Sequence, residues 1–181
     1  MEQALILVDI QNDYFPNGTM ELVGMSNASR NASRILESFR RRDAPIYHIQ
    51  HLSVRPGATF FLPDTNGAKH HATVSPEGKE VVIQKNFPNA FRATDLEVQL
   101  REAGIKQVII VGAMSHMCID ATTRAAFDLG FECTVLEDAC ATRDLEFNGS
   151  IVPADQVHKS FMAALATPYA NITSTAAHLD E

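Results

Sequence analysis

The sequence predicts an α/β fold: a three-layer α/β/α sandwich on a mainly parallel, Rossmann-like sheet of about six strands. Short apolar runs alternate with segments of helical periodicity, which is the pattern of successive βαβ units. Two of these runs, residues 4–8 and 108–111, are apolar at consecutive positions, as strands are when helices cover both faces of a sheet. Gly104 and Gly130 stand where helices are expected to end, and Pro153 stands where one is expected to begin.

The individual elements follow from these patterns in chain order. Strands are predicted at residues 4–8, 45–49, 81–83, 108–111, 133–136 and 170–172. Four amphipathic helices are predicted between them, each with an apolar stripe at three- and four-residue spacing. The stripes consist of Ala28, Ala32, Ile35 and Phe39, then Leu96, Leu100 and Ala103, then Ile119, Thr122, Ala126 and Leu129, and finally Val157, Phe161 and Leu165. Right-handed crossovers between such units place the helices on both faces of one sheet.

The length of 181 residues suits one domain, which we expect to span residues 1–181. One stretch, residues 53–79, holds three prolines and three glycines and has no clear periodicity. A connection of this length inside a compact domain is unusual and often functional. We expect it to act as a lid or as an oligomer arm.

Composition excludes several classes of partner. The net charge of −7 argues against nucleic acid and anionic membranes. No apolar run approaches the ~20 residues that a membrane-spanning helix needs. The opening residues MEQALILVDIQND reach an acidic residue before the apolar core of a signal peptide is complete. Because three cysteines without small-scaffold spacing do not predict a disulfide framework, we expect a reduced, cytoplasmic protein.

Three reactive residue types follow predicted strands. Asp9 comes after the first strand, Lys85 after the third, and Cys118 after the glycine turn that ends the fourth. Ligands of open α/β sheets bind at the carboxyl ends of the strands, so we expect these three side chains to meet there. Each one alone has an ordinary explanation, as a cap, a solvated lysine or a buried core cysteine. Together they favour chemistry, since a dehydrated carboxylate is costly without a partner.

The position of Cys118 suggests a nucleophile. It stands near the start of a predicted helix, where the helix dipole and free N–H groups favour the thiolate. A nearby ammonium, such as that of Lys85, would favour the thiolate further. A carboxylate with a raised pKa, such as Asp9, could take the thiol proton. We therefore expect a thiol that iodoacetamide labels below neutral pH far faster than it labels Cys133 or Cys140, which are interpreted as structural.

The segments LILVDIQNDYF, IQKNFPNAFRAT and VIIVGAMSHMCIDATTRAAFDLGF resemble the three signature segments of isochorismatase-like cysteine hydrolases. The resemblance extends from Leu5 to about Thr173 and implies a three-layer α/β/α sandwich. It also implies a catalytic triad of Asp9, Lys85 and Cys118. A cis peptide bond between Ala113 and Met114 is implied as well, with the N–H groups of Met114 and Cys118 forming an oxyanion hole.

The resemblance further implies a mechanism in which Cys118 attacks a carbonyl, Asp9 transfers the protons, and a thioester is hydrolysed. Isochorismatases that cleave a vinyl ether typically lack this cysteine, so its presence favours an amidase-type hydrolase acting on a small molecule. The segment QHLSVRPGATFFLPDTNGA resembles the branch with streptothricin hydrolases, which open a cyclic amide. Family members are commonly oligomers, so a homo-oligomer, a dimer or a tetramer, is expected.

No cofactor and no metal are expected. Nicotinamidases of this family bind a metal through an Asp-x-His pair and a second histidine. The corresponding region of this chain has His48 and His51 without that pair, and His70 and His71 lie in the long loop. Histidines in loops are more often solvated than metal-bound. This departure also argues against nicotinamide as the substrate.

Six residues are candidates for substrate contact because they flank the proposed site in the sequence: Gln11, Phe15, Phe60, Phe87, Phe91 and His116. Gln11 and Asp13 are also candidates for bracing the turn around Asp9. Two further functions stay open: a catalytically silent binding or assembly protein on the same fold, and an isochorismatase- or nicotinamidase-type hydrolase. A nucleotide-binding Rossmann protein is disfavoured, because no G-x-G-x-x-G follows the first strand.

Overall fold

A computed structural model describes residues 2–180 of the chain. Within that range the chain forms eight strands: β1 (Gln3–Val8), β2 (Ile46–His51), β3 (Val81–Lys85), β4 (Gln107–Ala113), β5 (Glu132–Ala141), β6 (Leu145–Phe147), β7 (Ser150–Val152) and β8 (Asn171–Thr173). Six of them make one parallel sheet in the order β3-β2-β1-β4-β5-β8. This confirms the predicted fold class. Strand β1 is central, with Leu5 opposite Ile46 on β2 and Ile109 on β4.

Five helices flank the sheet: α1 (Met25–Arg41), α2 (Leu96–Glu102), α3 (Asp120–Asp128), α4 (Ala154–Leu165) and α5 (Thr175–Leu179). Helix α1 packs on one face, where Leu5 and Leu7 of β1 are buried with Ile35 and Phe39. Helices α2, α3 and α4 pack on the other face, against Ala4, Ile6 and Val8 of the same strand. Alternate residues of β1 therefore enter two different cores. This explains why residues 4–8 of the strand are apolar at every position.

The β6–β7 hairpin and the short helix α5 are absent from the sequence-based prediction. The hairpin loop is Asn148-Gly149, and both residues have positive φ, +51° and +74°. Two-residue loops of this kind favour Asn-Gly, because asparagine and glycine tolerate the left-handed conformation. The Asn-Gly pair was therefore a usable signal for the hairpin. The five residues of α5 are too few for an amphipathic period to be recognised.

Residues 53–79 contain one 3-10 turn, Ala72–Val74, and are tied to the segment that follows β1. The Phe61 N–H donates to the Asp13 carboxylate at 2.7 Å. The Asp13 N–H donates to the Gly67 carbonyl at 3.0 Å, and the His71 N–H donates to the Ile10 carbonyl at 2.9 Å. The long loop is thus held at several points against its own chain. None of the helices formed by residues 2–180 has the length and apolar character needed to cross a membrane.

Candidate active site

Four neighbouring strands each bring one reactive side chain to the carboxyl edge of the sheet. Lys85 ends β3, His51 ends β2, and Asp9 directly follows β1. Cys118 follows β4 in a single π-helical turn, Ser115–Ile119, which leads into α3. Because β3, β2, β1 and β4 are adjacent in that order, the four side chains converge. The structure therefore brings together Asp9, Lys85 and Cys118, and it adds His51.

The Lys85 ammonium is the centre of this cluster. Its Nζ lies 2.7 Å from Asp9 Oδ2, 2.9 Å from His51 Nδ1 and 3.4 Å from Cys118 Sγ. The side chains of Lys85 and Asp9 are fully buried. Burial alone would lower the pKa of Lys85, but the negative charges of Asp9 and of a Cys118 thiolate outweigh it, so the pKa is raised. The lysine therefore stays a cation.

Only one of the two oxygens of the Asp9 carboxylate has a hydrogen-bond partner among residues 2–180. Its Oδ2 accepts from Lys85, whereas the buried Oδ1 has no hydrogen-bond partner among residues 2–180. Asp9, His51 and Cys118 each offer one ligand atom, and these three atoms lie within 4.8 Å of one another. An unpartnered carboxylate oxygen is costly when buried. Asp9 therefore keeps one acceptor oxygen free in a cluster that also contains the Cys118 sulfur.

Local backbone geometry sets the distance between β1 and β4 next to the cluster. Gly112 lies opposite Val8 in the sheet and has a φ of +124°. A Cβ at this position would collide with the Val8 carbonyl oxygen, so only glycine allows this approach. The peptide bond between Ala113 and Met114, where the resemblance implied a cis bond, is cis.

The ionisation of Cys118 differs from the sequence-based expectation. Burial raises the pKa of the thiol well above its usual value, the charge of Asp9 raises it further, and Lys85 opposes both only in part. In the resting protein these surroundings favour the neutral thiol over the thiolate. The helix dipole and one ammonium do not compensate for burial of a residue that is 2% exposed. The resting cluster pairs a neutral thiol with a carboxylate and an ammonium.

Gln11 and Asp13 brace the site. The Gln11 amide nitrogen donates to the carbonyls of His51 and Ala68, at 2.9 Å and 2.8 Å, and its oxygen accepts from the His51 N–H at 2.8 Å. Asp13 accepts from the N–H groups of Phe61 and Thr19. Gln11 is therefore corrected from a substrate contact to a residue that positions β2, because both ends of its buried amide are occupied.

The phenylalanines predicted to contact the substrate do not all lie near the cluster. Phe91 is wrong as a substrate contact, because its ring stacks on Phe131 at the amino end of β5, opposite the reactive edge. Phe15 stacks on His71 with ring centroids 3.5 Å apart. It lines a separate cavity of about 380 Å³ whose walls do not include the reactive residues. Phe87 is half-buried beneath the Arg92 guanidinium, 3.7 Å from its ring centre.

Phe60 and His116 occupy intermediate positions. Phe60 is half-buried and packs on Tyr14 and Phe61, with centroid distances of 6.0 Å and 5.0 Å. His116 is also half-buried, and its Nδ1 lies 2.6 Å from the Thr142 hydroxyl, which follows β5. Both stay candidates for substrate contact, although His116 already has one partner.

Sequence reasoning missed three residues next to the cluster: His51, Tyr14 and Phe61. The Phe61 ring lies 5.9 Å from the His51 ring and 4.5 Å from the Tyr14 ring. Burial raises the pKa of Tyr14, and the charges of Cys118 and Asp9 add to this, so its hydroxyl lies in their field. No sequence pattern singled out His51, because its position matters only once β2 is known to lie between β3 and β1.

A metal does not fit the cluster as it stands. Within residues 2–180, one group of three His, Cys, Asp or Glu ligands is close enough for a metal, namely Asp9, His51 and Cys118. The Lys85 ammonium already contacts all three, so a cation there would have to displace it. His48 instead bonds to Glu80 and His71 to Thr73, at 2.8 Å and 2.9 Å.

The other cysteines have structural surroundings. Cys133 is buried, and its Sγ lies 3.5 Å from the Phe131 carbonyl oxygen. Cys140 is also buried, and all three cysteines are free. Burial raises the pKa of both Cys133 and Cys140 to about 12. Neither has the carboxylate and ammonium that accompany Cys118.

Comparison with known proteins agrees with this geometry. A family model described as the isochorismatase domain matches residues 3–177. The chain is 49% identical to the isochorismatase family protein YddQ of Bacillus subtilis, over 99% of each chain. It is 32% identical to a streptothricin hydrolase of Streptomyces noursei, over 79% of this chain and 51% of that protein.

A solved structure, described as a putative isochorismatase hydrolase from Oleispira antarctica, superimposes with a TM-score of 0.95. It is 48% identical in sequence, and the match covers 99% of this chain and 97% of that one. Together with the family match over residues 3–177, this likeness shows that the chain belongs to the isochorismatase family of hydrolases.

Proposed function

We propose that the protein is a cysteine-dependent hydrolase that cleaves a C–N bond of a small amide or cyclic amide through a thioester acyl-enzyme. One observation carries this proposal. The Lys85 ammonium contacts both Asp9 and Cys118, a carboxylate oxygen of Asp9 lies within 4.8 Å of the Cys118 sulfur, and Asp9 Oδ1 has no hydrogen-bond partner among residues 2–180. Such a carboxylate is a suitable base for a thiol whose pKa is high. The 32% identity to a streptothricin hydrolase supports an amide substrate.

The proposed reaction begins with a neutral thiol. Asp9 takes the proton from Cys118 as Sγ attacks the substrate carbonyl carbon, and the carbonyl oxygen becomes an oxyanion. The N–H groups of Met114 and Cys118 are proposed to hold that oxyanion. Lys85 balances the negative charge that moves between carboxylate and sulfur.

Collapse of the tetrahedral intermediate breaks the C–N bond, and the proton on Asp9 leaves with the amine. A water molecule then gives a proton to Asp9, and its oxygen attacks the thioester. The C–S bond breaks, the carboxylic acid leaves, and the sulfur recovers its proton. The sum is amide plus water giving acid plus amine, with Asp9 unchanged.

Intact-protein mass spectrometry tests this proposal. The protein would be exposed to primary and cyclic amides, including nicotinamide and streptothricin, with Cys118→Ala as the blank. The expected result is a mass increase on Cys118 equal to the acyl group, with release of ammonia or amine from an open-chain amide and formation of the ring-opened amino acid from a cyclic amide. A panel that gives neither adduct nor amine release would favour a catalytically silent binding protein on this fold.

The assembly state and the compartment belong to the same proposal. We propose a cytoplasmic homo-oligomer, a dimer or a tetramer. Three free cysteines support a reducing compartment. Light scattering on the purified protein measures the number of subunits, and a monomeric mass would contradict the oligomer.

A further inference from the structure

We propose that His51 is a fourth functional residue: its Nδ1 holds the Lys85 ammonium in place, and its Nε2–H donates to an acceptor atom of the amide substrate. This inference rests on the proposed function, because it assigns a role within the same site. It also narrows the substrate to amides that carry a second oxygen or nitrogen acceptor near the reacting carbonyl.

Sheet topology explains why such a residue is needed. Lys85 and Asp9 are not on neighbouring strands, because β2 lies between β3 and β1. His51 is the register partner of Lys85 at the end of β2. The lysine side chain must therefore pass His51 to reach Asp9 Oδ2, 2.7 Å from its Nζ. His51 is the residue best placed to fix the path of that long, flexible side chain.

The hydrogen bonds of the ammonium define the state of the His51 ring. An ammonium has three N–H donors and no acceptor. The Lys85 side chain is fully buried, and its three acceptors are Asp9 Oδ2, His51 Nδ1 and Cys118 Sγ. Since Lys85 can only donate, His51 Nδ1 must accept. In a neutral ring the proton is then on Nε2.

The neutral ring is consistent with its surroundings. Burial lowers the pKa of His51 to about 4, and the positive charge of Lys85 lowers it as well, against an opposing effect of Asp9. His51 therefore keeps one acceptor and one donor across neutral pH. A protonated ring would lose the acceptor that Lys85 requires.

The ring is held in place and one end of it is accessible. Gln11 bonds both the N–H and the carbonyl of His51, and Phe61 lies against the ring. The His51 side chain is 16% exposed, whereas those of Asp9 and Lys85 are 0% exposed. Its Nε2 has no hydrogen-bond partner in the part of the chain that the structure describes. The free donor is thus the polar contact that the cluster offers to an incoming molecule.

The first half of the proposal is tested by alkylation of Cys118 with iodoacetamide as a function of pH, which needs no natural substrate. His51→Leu removes both ring nitrogens, and His51→Asn restores an acceptor near the position of Nδ1. In the leucine variant the Lys85 ammonium loses one hydrogen-bond acceptor and is no longer fixed beside Cys118 Sγ. The pH midpoint of alkylation should therefore rise by about 1 unit, which is measured as an about tenfold lower alkylation rate at every pH below the midpoint. The asparagine variant should return the midpoint to that of the wild type.

Thermal unfolding of each variant shows that the comparison is made on folded protein. A folded His51→Leu protein with the wild-type midpoint would overturn the role of Nδ1. A midpoint that the asparagine variant does not restore would overturn it equally, because a general loosening of the site and not a lost acceptor would then explain the shift.

The second half is tested with two p-nitrophenyl esters, the butyrate and the methoxyacetate, which acylate a thiol without a specific leaving amine. Their acyl groups have the same length, but only the methoxyacetyl group carries an added oxygen acceptor. The preference for this ester should be roughly three- to tenfold greater in the wild type than in His51→Asn, as expected for one lost hydrogen bond. Equal preferences in the two proteins would overturn the substrate contact.

Failure of this inference is distinguishable from failure of the proposed function. If no amide in the panel is hydrolysed, the alkylation midpoints still report on His51 and Lys85. If amides are hydrolysed and His51→Leu hydrolyses them like the wild type, the proposed function stands and the role of His51 is wrong.

Discussion

Strand β2 carries two histidines, and each belongs to a cluster with one acid and one base. His48 bonds to Glu80 at 2.8 Å, and Arg40 of α1 donates to both oxygens of the same carboxylate at 2.6 Å and 2.9 Å. The N–H of Glu77 donates there as well. Burial alone would raise the pKa of Glu80, but these hydrogen bonds lower it to about 2. Both oxygens of this carboxylate are therefore hydrogen-bonded.

The second cluster also joins a histidine, a carboxylate and a cation, and it adds the Cys118 thiol. Asp9 is bonded by the single ammonium of Lys85, and its Oδ1 stays without a partner. A guanidinium binds both oxygens of a carboxylate at once, whereas an ammonium is a point charge that binds one. In these two clusters the carboxylate paired with arginine has both oxygens bonded, whereas the carboxylate paired with lysine keeps one oxygen without a partner among residues 2–180.

The largest expected effect is a difference in turnover between variants of the two carboxylates, Asp9 and Glu80. Asp9→Asn should lower turnover about a hundred- to ten-thousandfold, because it removes the proposed general base. Glu80→Gln should leave turnover unchanged, since Glu80 does not contact the reactive cluster. Release of p-nitrophenol from p-nitrophenyl butyrate measures both. Equal losses in the two variants would mean that the clusters are not functionally distinct.

The same Asp9→Asn variant is expected to change the thiol in the opposite direction. The negative charge of Asp9 contributes to the raised pKa of Cys118, so its removal should lower that pKa. The pH midpoint of alkylation by iodoacetamide should fall by about 1 unit, even though turnover is lost. A midpoint that rises would show that Asp9 favours the thiolate, contrary to the geometry described above.

For stability, the variant of the Glu80 carboxylate should show the larger effect. Glu80→Gln is expected to lower the free energy of unfolding by about 2 kcal/mol, because it breaks charged hydrogen bonds to Arg40. The melting temperature should then fall by about 4–8 °C. Glu77→Gln is the matched control, since its side chain is 69% exposed although it also pairs with Arg40. A Glu77→Gln protein that loses as much free energy of unfolding as Glu80→Gln would contradict the structural role assigned to Glu80.

The smallest effect concerns the dependence of stability on pH. Burial lowers the pKa of His51 and His70 to about 4, and it also lowers that of His48. The unfolded chain therefore binds more protons than the folded chain below about pH 6.5. Stability should be complete above that pH and decrease as the pH falls from about 6.5 toward 4. Denaturant unfolding measures this slope, and His70→Leu should reduce it.

The strands and their reactive ends could be predicted from the sequence because both depend on local patterns. Continuous apolar runs identified β1 and β4. Asp9, Lys85 and Cys118 each follow or end a predicted strand, and a parallel sheet brings these strand ends to one edge. The residues that contact the substrate could not be predicted in the same way. Phe91 follows Lys85 closely in sequence, yet its ring packs on Phe131 at the far end of the sheet.

The role of His51 and the ionisation of Cys118 depend on burial and strand order. The sequence identifies a thiol near the start of a helix, but the thiol pKa is set by the 2% exposure of Cys118 and by Asp9. Likewise, His51 is significant only because β2 separates β3 from β1. These are properties of the assembled sheet, which local periodicity does not contain.

The parallel sheet order also has a consequence for the chain as it is synthesised. Strands β1, β2 and β3 are consecutive in the chain and adjacent in the sheet, so Asp9, His51 and Lys85 can meet within the first 85 residues. Strand β4 pairs with β1 across more than a hundred residues, Leu5 with Ile109, and Cys118 comes after it. Cys118 is thus the last of the four clustered residues to be synthesised, and it can join Asp9, His51 and Lys85 only once β4 has paired with β1.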